Sequence, residues 1–256
     1  MEHNSLGDLA VLGLAPTTEN VRRYGESQRT VYHIAGRAVG QFLEATGHLK
    51  LDDDDHALLG DAMALMRYAD DMIDLYGVPE AEFVMALSDR SAAPAFYDLA
   101  ERLGSRAGQF RIAIERLLAA SIVQRSCSDL NYPSAKALEG QAAGEVLWAV
   151  VGLRCHEAEQ KNVHAFLMAL SAASNLWDAL WDLREDGRGR PLVTFYTLAS
   201  LLTNITRLVF SQTWSTRFAA TLVKLTYRYY FKRSARHKWA AQSRQMAWLK
   251  YRAEHR

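Results

Sequence analysis

Leu65-Met66-Arg67-Tyr68-Ala69-Asp70-Asp71-Met72-Ile73-Asp74 is the stretch on which the reading of this chain turns. Asp70 and Asp74 are four residues apart, so on a helix both carboxylates leave from one face. Arg67 stands three residues before Asp70, on nearly the same face. The flanking residues are apolar, and ionised groups set in a core-type helix are unfavourable unless something pairs with them. Hard divalent cations are natural partners for clustered carboxylate oxygens.

A second stretch repeats the pattern about 110 residues later: Asp178-Ala179-Leu180-Trp181-Asp182-Leu183-Arg184-Glu185-Asp186-Gly187-Arg188-Gly189-Arg190. Asp178, Asp182 and Asp186 form two successive i,i+4 steps, and Glu185 follows Asp182 by three. Gly187 and Gly189 end the helix and free the loop that carries Arg188 and Arg190. Either motif alone is open to a plainer reading as a solvated helix face. Two of them on separate long helices are expected to face each other across a cavity. The run Asp52-Asp53-Asp54-Asp55 is read differently. It precedes an apolar helical pattern, and negative charge is favourable at a helix start.

Away from the motifs, apolar residues recur at helical spacing. The pattern predicts helices near 26–47, 56–76, 80–88, 94–104, 107–125, 134–153, 158–183, 192–211, 215–233 and 235–253. Pro94 and Pro191 fall at expected helix starts and Pro133 just before one. No strand or repeat is apparent. The fold class expected is all-α: a single-domain antiparallel bundle of ten helices around a central cavity. Residues 1–20 read as a loose leader and 21–256 as one domain.

Composition agrees with a globular protein, with 49% apolar and 23% charged residues. Cys127 and Cys155 are too few for a disulfide framework, which fits a reduced, cytoplasmic setting. No secretory signal is expected at the start. The longest unbroken apolar run, Val146-Leu147-Trp148-Ala149-Val150-Val151, is short, so no bilayer-spanning segment is expected. Charge is unevenly spread. Residues 1–186 hold 16 Lys and Arg against 28 Asp and Glu, whereas residues 187–256 hold 14 against one, Glu254. The acidic body suits divalent cations. The basic tail suits phosphate or an anionic membrane surface, which makes peripheral membrane contact an expectation. The stretch 238–250 mixes basic and apolar residues at helical spacing; it reads either as a covering helix or as one lying on a membrane. No Glu-x-x-His, zinc-type Cys/His spacing or Gly-rich phosphate loop is present. Nucleic acid is not an expected partner.

Two facing acidic helices imply a definite chemistry. Magnesium held by them would grip a diphosphate and turn it into a good leaving group. The allylic cation left behind needs an apolar, water-excluding cavity lined with aromatic faces. Phe42, Tyr68, Trp148, Trp177 and Trp181 are the candidates for that lining. Gly144 would let either a prenyl chain or a neighbouring helix approach closely.

At these residues the chain resembles the squalene/phytoene synthase family of class I isoprenoid enzymes. Arg67-x-x-Asp70-Asp71-x-x-Asp74 is similar to that family's first aspartate motif, and Asp182-x-x-Glu185-Asp186 followed by Gly187-Arg188 to its second. Tyr132-Pro133-Ser134, Ala143-Gly144-Glu145-Val146 and Val150-Val151-Gly152 are similar to the helix between. The resemblance covers roughly residues 30–195. It implies an isoprenoid synthase fold and three magnesium ions with bound diphosphate. The implied metal ligands are Asp70, Asp71, Asp74, Asp178, Asp182, Glu185 and Asp186, with Asp70, Asp74, Asp182 and Asp186 catalytic. Arg67, Arg188, Arg190 and the pair Arg228-Tyr229 would contact the diphosphate.

The chain also departs from the family. Gly40-Gln41-Phe42-Leu43 lacks the serines of the head-to-head synthases, and Asp178 stands in place of an asparagine. No aromatic residue precedes Ala143-Gly144 in Leu138-Glu139-Gly140-Gln141, and only 70 residues follow Asp186. In compactness the chain is more similar to moenomycin-type prenyltransferases. The expected function is transfer of a prenyl group, of fifteen or twenty carbons, from its diphosphate to a lipid or small-molecule acceptor. The alternatives are a terpene cyclase, a head-to-head synthase and a non-catalytic isoprenoid-binding relative. An oligomer is compatible with all of them.

Overall fold

A computed structural model describes residues 32–47, 49–74, 78–183 and 188–210, together with Lys224. The chain divides into two compact units, Met1–Trp214 and Ser215–Arg256, and every helix named below belongs to the first. The described residues form eight α-helices: α1 Tyr32–Ala45, α2 Asp53–Asp74, α3 Glu80–Ala86, α4 Pro94–Leu103, α5 Ala107–Ser126, α6 Tyr132–Val151, α7 Gln160–Asp182 and α8 Pro191–Phe210. The expected helices at 215–233 and 235–253 and the leader 1–20 lie outside the described residues.

Local chemistry accounts for the helix ends. Asp52 and Asp55 form a reciprocal cap at the start of α2. The Asp55 amide donates to Asp52 Oδ1 at 2.8 Å and the Asp52 amide to Asp55 Oδ2 at 3.0 Å. Each carboxylate thus satisfies an otherwise orphaned backbone donor, as in a capping box. The four-aspartate run is therefore a helix start, as its position suggests. Pro94 and Pro191 open α4 and α8, while Pro133 is the second residue of α6, one turn-step inside it. At the first helical positions the missing proline N–H costs nothing. Gly104 follows α4 with φ of +57°, a backbone that a side chain would strain.

Helix α6 is the centre of the bundle. It packs on α5 before it in the chain, on α7 after it, and also on α2 and α8. The remaining close pairs include α1 with α2 and α7 with α8. Close approach of α6 to α7 depends on Gly140. A Cβ added there would stand 2.7 Å from Ala172 Cα and 2.7 Å from the Ser171 carbonyl oxygen. The interface between these helices buries Ala137, Ala172, Ala173 and Leu176, with Leu201 from α8. Deeper in the bundle Tyr132, Phe96, Phe110 and Phe166 are fully buried, and Phe96 stacks on Phe110 at 5.6 Å between ring centres.

Among the described residues there is no strand, as expected; an isolated antiparallel bridge joins Leu49 to Cys155, tying the α1–α2 link to the α6–α7 link. One feature corrects the sequence expectations. Helix α8 is long and apolar enough to cross a membrane by length and composition, contrary to the expectation that no segment is. An unbroken apolar run is not what the bilayer requires. A helix dotted with threonines reaches a sufficient average, and α8 holds four of them with Arg207 as its one charge.

Candidate functional site

The two acidic motifs occupy equivalent places on their helices. Asp70, Asp71 and Asp74 fall in the last turns of α2, and Asp178 and Asp182 in the last turns of α7. Neither helix carries a basic residue in its last turn. The negative end of the helix dipole lies there and disfavours carboxylates, most of all those in the final turn. Glu185 and Asp186 lie outside the described residues, as do Arg228 and Tyr229.

Direction follows from contacts at the ends of α6. Arg154, just past the α6 C-terminus, donates from Nε to Asp55 Oδ1 at 2.9 Å and from Nη2 to Asp52 Oδ2 at 3.0 Å. Helix α2 therefore starts at the C-terminal end of α6 and, packing on it, runs back toward its N-terminus. At that N-terminus Tyr132 packs with Ala179 and Leu183, so α7 ends there too. The acidic ends of α2 and α7 thus run toward the same end of the bundle. The two helices do not pack closely on each other; α6 carries both.

The side chains near that end are already engaged. Arg67 pairs with Asp70 at 2.5 Å, each about one-third exposed. Asp178 and Asp182 are exposed. Trp177 is half-buried and meets Trp181 edge to face at 6.1 Å, while Trp181 itself is 71% exposed. Two of the arginines expected to grip diphosphate, Arg188 and Arg190, meet a carboxylate instead. Arg188 Nη1 donates to the Cys127 carbonyl at 3.2 Å and to Asp129 Oδ1 at 3.3 Å, and its guanidinium lies 4.7 Å above the Tyr132 ring. Arg190 pairs with Asp129 Oδ2 at 2.9 Å. Asp129 was not singled out by the sequence. Its only signal there is a lone acid in the turn before Tyr132-Pro133-Ser134.

The remaining candidates for an apolar lining are spread over the bundle. Tyr68 is buried on α2 and Phe42 half-buried on α1. Gly144 faces α7, where an added Cβ would come within 2.9 Å of Met168 Cε and 3.1 Å of Ser171 Oγ. Trp148 lies near the other end of α6, about 24 Å along the axis from Tyr132 at 1.5 Å per residue. There it is edge to face with His164 at 5.3 Å, and its carbonyl accepts from Arg106 Nη1 at 3.0 Å. Arg106 is buried, and burial lowers its pKa. Its role is to satisfy a terminal carbonyl of α6. His164 also bonds Glu145 at 2.9 Å. The Cys155 thiol is pushed up by burial and by Glu159, which suits an inert structural cysteine.

A separate groove of about 520 Å³ lies between α6, α7 and α8. Gln141, Met168, Asn204, Arg207 and Phe210 contribute to it, and none of the residues nominated from the sequence does.

Asp70, Asp178 and Asp182 offer the hard oxygen donors that magnesium prefers. Among the described residues, no three His, Cys, Asp or Glu side chains stand together as a metal site. No protein-family model matches the chain, and neither the curated proteins nor the solved structures contain a significant match. Sequence and geometry together therefore establish an all-helical protein built around α6, with acids at the C-terminal ends of two helices that run toward one end of the bundle.

Proposed function

We propose that the protein ionises an allylic prenyl diphosphate with magnesium and transfers the prenyl group to a lipid or small-molecule acceptor. The observation that carries this reading is the shared address of the two motifs. Both put carboxylates on the C-terminal turns of long helices, where the dipole opposes them, and both helices run toward the same end of α6. Such charge is retained at a cost to helix stability, and a bound cation would offset it.

In this reading Asp70, Asp71 and Asp74 on α2 and Asp178, Asp182, Glu185 and Asp186 at the end of α7 hold magnesium. Bound metal supplies Lewis-acid stabilisation of the departing diphosphate. Arg67 keeps Asp70 oriented along the helix. Arg188 and Arg190 reach the diphosphate by exchanging the Asp129 carboxylate for a phosphate oxygen, which offers the same planar pairing geometry. A cavity between α2 and α7, lined by Tyr68 and Trp177, is part of the proposal. It would exclude water from the allylic cation. The setting is cytoplasmic, with peripheral membrane contact where the prenyl substrate or acceptor is a lipid.

The test is incubation with geranyl, farnesyl and geranylgeranyl diphosphates and magnesium, with and without acceptors, products being read by mass spectrometry. Diphosphate release that stops in excess chelator is expected, with prenylated product only when an acceptor is present. A cyclic terpene without acceptor would redirect the reading to a cyclase. Absence of release with every donor, or full release in chelator, would sink it.

A further inference from the structure

We propose that α8 is a membrane-surface helix, its outward apolar face lying in the interfacial layer of an anionic bilayer. The helix is apolar on two sides. Val193, Thr197, Leu201, Asn204 and Leu208 form its buried stripe. Leu192, Phe195, Leu198, Leu202 and Ile205 form another, between 37% and 64% exposed. At 100° per residue the second stripe is centred about 140° around the helix from the first. An amphipathic helix of a soluble bundle places charge on that outward side, and α8 places leucine, isoleucine and phenylalanine there. Its only charged residue, Arg207, projects from between the stripes in the last turns.

The threonine hydroxyls of α8 are arranged for a low-dielectric surrounding. All four threonine hydroxyls donate to the carbonyl four residues back. These bonds are Thr194 to Arg190 at 3.1 Å, Thr197 to Val193 at 2.8 Å, Thr203 to Ala199 at 2.9 Å and Thr206 to Leu202 at 2.8 Å. A hydroxyl satisfied within its own helix needs no water partner. The outward face can therefore lose its hydration without stranding a donor.

Charge identifies the surface. Residues 211–256, which follow α8 directly, contain eleven Lys and Arg and a single acid, Glu254. A basic run following an exposed apolar helix in the sequence suits acidic lipid headgroups. The buried stripe settles orientation. A helix spanning the bilayer would have to leave α6 and α7, whereas one lying in the interface keeps its inner face on them and buries only its outer face in lipid.

Full-length protein is mixed with vesicles of phosphatidylcholine, with and without phosphatidylglycerol, and sedimented. Binding to the anionic vesicles alone is expected, weakening as salt rises. The double variant Phe195→Ser/Leu202→Ser should lower the partition coefficient at least tenfold while helicity and Tm hold, because both side chains point away from the bundle. In a Cys127→Ser background, Leu198→Cys bearing an environment-sensitive nitrobenzoxadiazole label should shift to the blue only when anionic vesicles are added. Vesicle binding unchanged by the double substitution, or equal binding to neutral vesicles, would overturn the proposal. So would a label already shielded without lipid, as a second copy or the chain's own C-terminal residues would leave it. None of these readouts depends on prenyl transfer.

Discussion

The two ends of α2 carry the same residue type in opposite electrical settings. At its N-terminus, Asp52 and Asp55 cap the helix, bind Arg154 and sit where the dipole favours them. At its C-terminus, Asp70, Asp71 and Asp74 sit where the dipole opposes them, and Asp70 pairs with Arg67 one turn back. The C-terminal turns of α7 repeat the second setting with Asp178 and Asp182. The contrast separates acids that build the fold from acids that the fold tolerates. Capping and ion pairing account for the first group, and the magnesium site proposed above would account for the second.

The largest expected effect follows from that separation. Asp70→Asn and Asp182→Asn should each reduce magnesium-dependent diphosphate release a hundredfold or more. The same substitutions should change Tm little, since each removes a charge that the dipole opposes, although Asp70→Asn also gives up the pair with Arg67. Steady-state kinetics beside thermal unfolding checks both halves, and a variant that loses stability instead of turnover erases the contrast.

Arg154→Ala should do the reverse. It leaves Asp55, only 3% exposed, without its guanidinium partner. Unfolding in urea should show a lower midpoint, with turnover of the surviving folded protein intact. Gly140→Ala should cost about 1–3 kcal/mol through overpacking against the α7 backbone.

A smaller effect is expected with pH. The Asp52 carboxylate is held below its ordinary value, first by the hydrogen bond with Asp55 and also by the charge of Arg154. A depressed folded-state pKa contributes stability that is present above the ordinary carboxylate value of about 3.9 and lost as pH falls through the lowered one. Unfolding midpoints followed from pH 6 to pH 2 should fall in this window, and Asp52→Asn should flatten the fall.

The smallest effect concerns the turn before α6. Asp129→Asn removes the carboxylate that holds Arg188 and Arg190, and exposed ion pairs of this kind are worth about 0–1 kcal/mol. Affinity for inorganic diphosphate with magnesium, measured by titration calorimetry, should rise by about threefold. A fall would mean that Asp129 positions the arginines for their ligand instead of competing with it.

Every α-helix in the described residues was legible from the sequence, most ends to within a few positions, although the first was expected from 26 and is described from Tyr32, and the short 3-10 turns at 104–106, 152–154 and 157–159 were not foreseen. The reason is that helix formation is decided by short-range terms. Apolar residues at 3.6-residue spacing, prolines at first turns and an aspartate cap all act within one or two turns, and each can be read along the chain. The acids of the two motifs were legible for the same reason, as i,i+4 pairs. Tertiary structure alone decided the rest. That Arg188 and Arg190 meet Asp129, about sixty residues away, depends on the α5–α6 turn lying beside the end of α7. That Trp148 sits far from the acidic ends depends on which way α6 runs. That α8 turns leucines outward depends on which of its two apolar faces α6 and α7 cover. Periodicity reports that a helix has an apolar stripe, but only packing determines whether a second stripe finds a partner, because that requires surfaces brought together from distant parts of the chain.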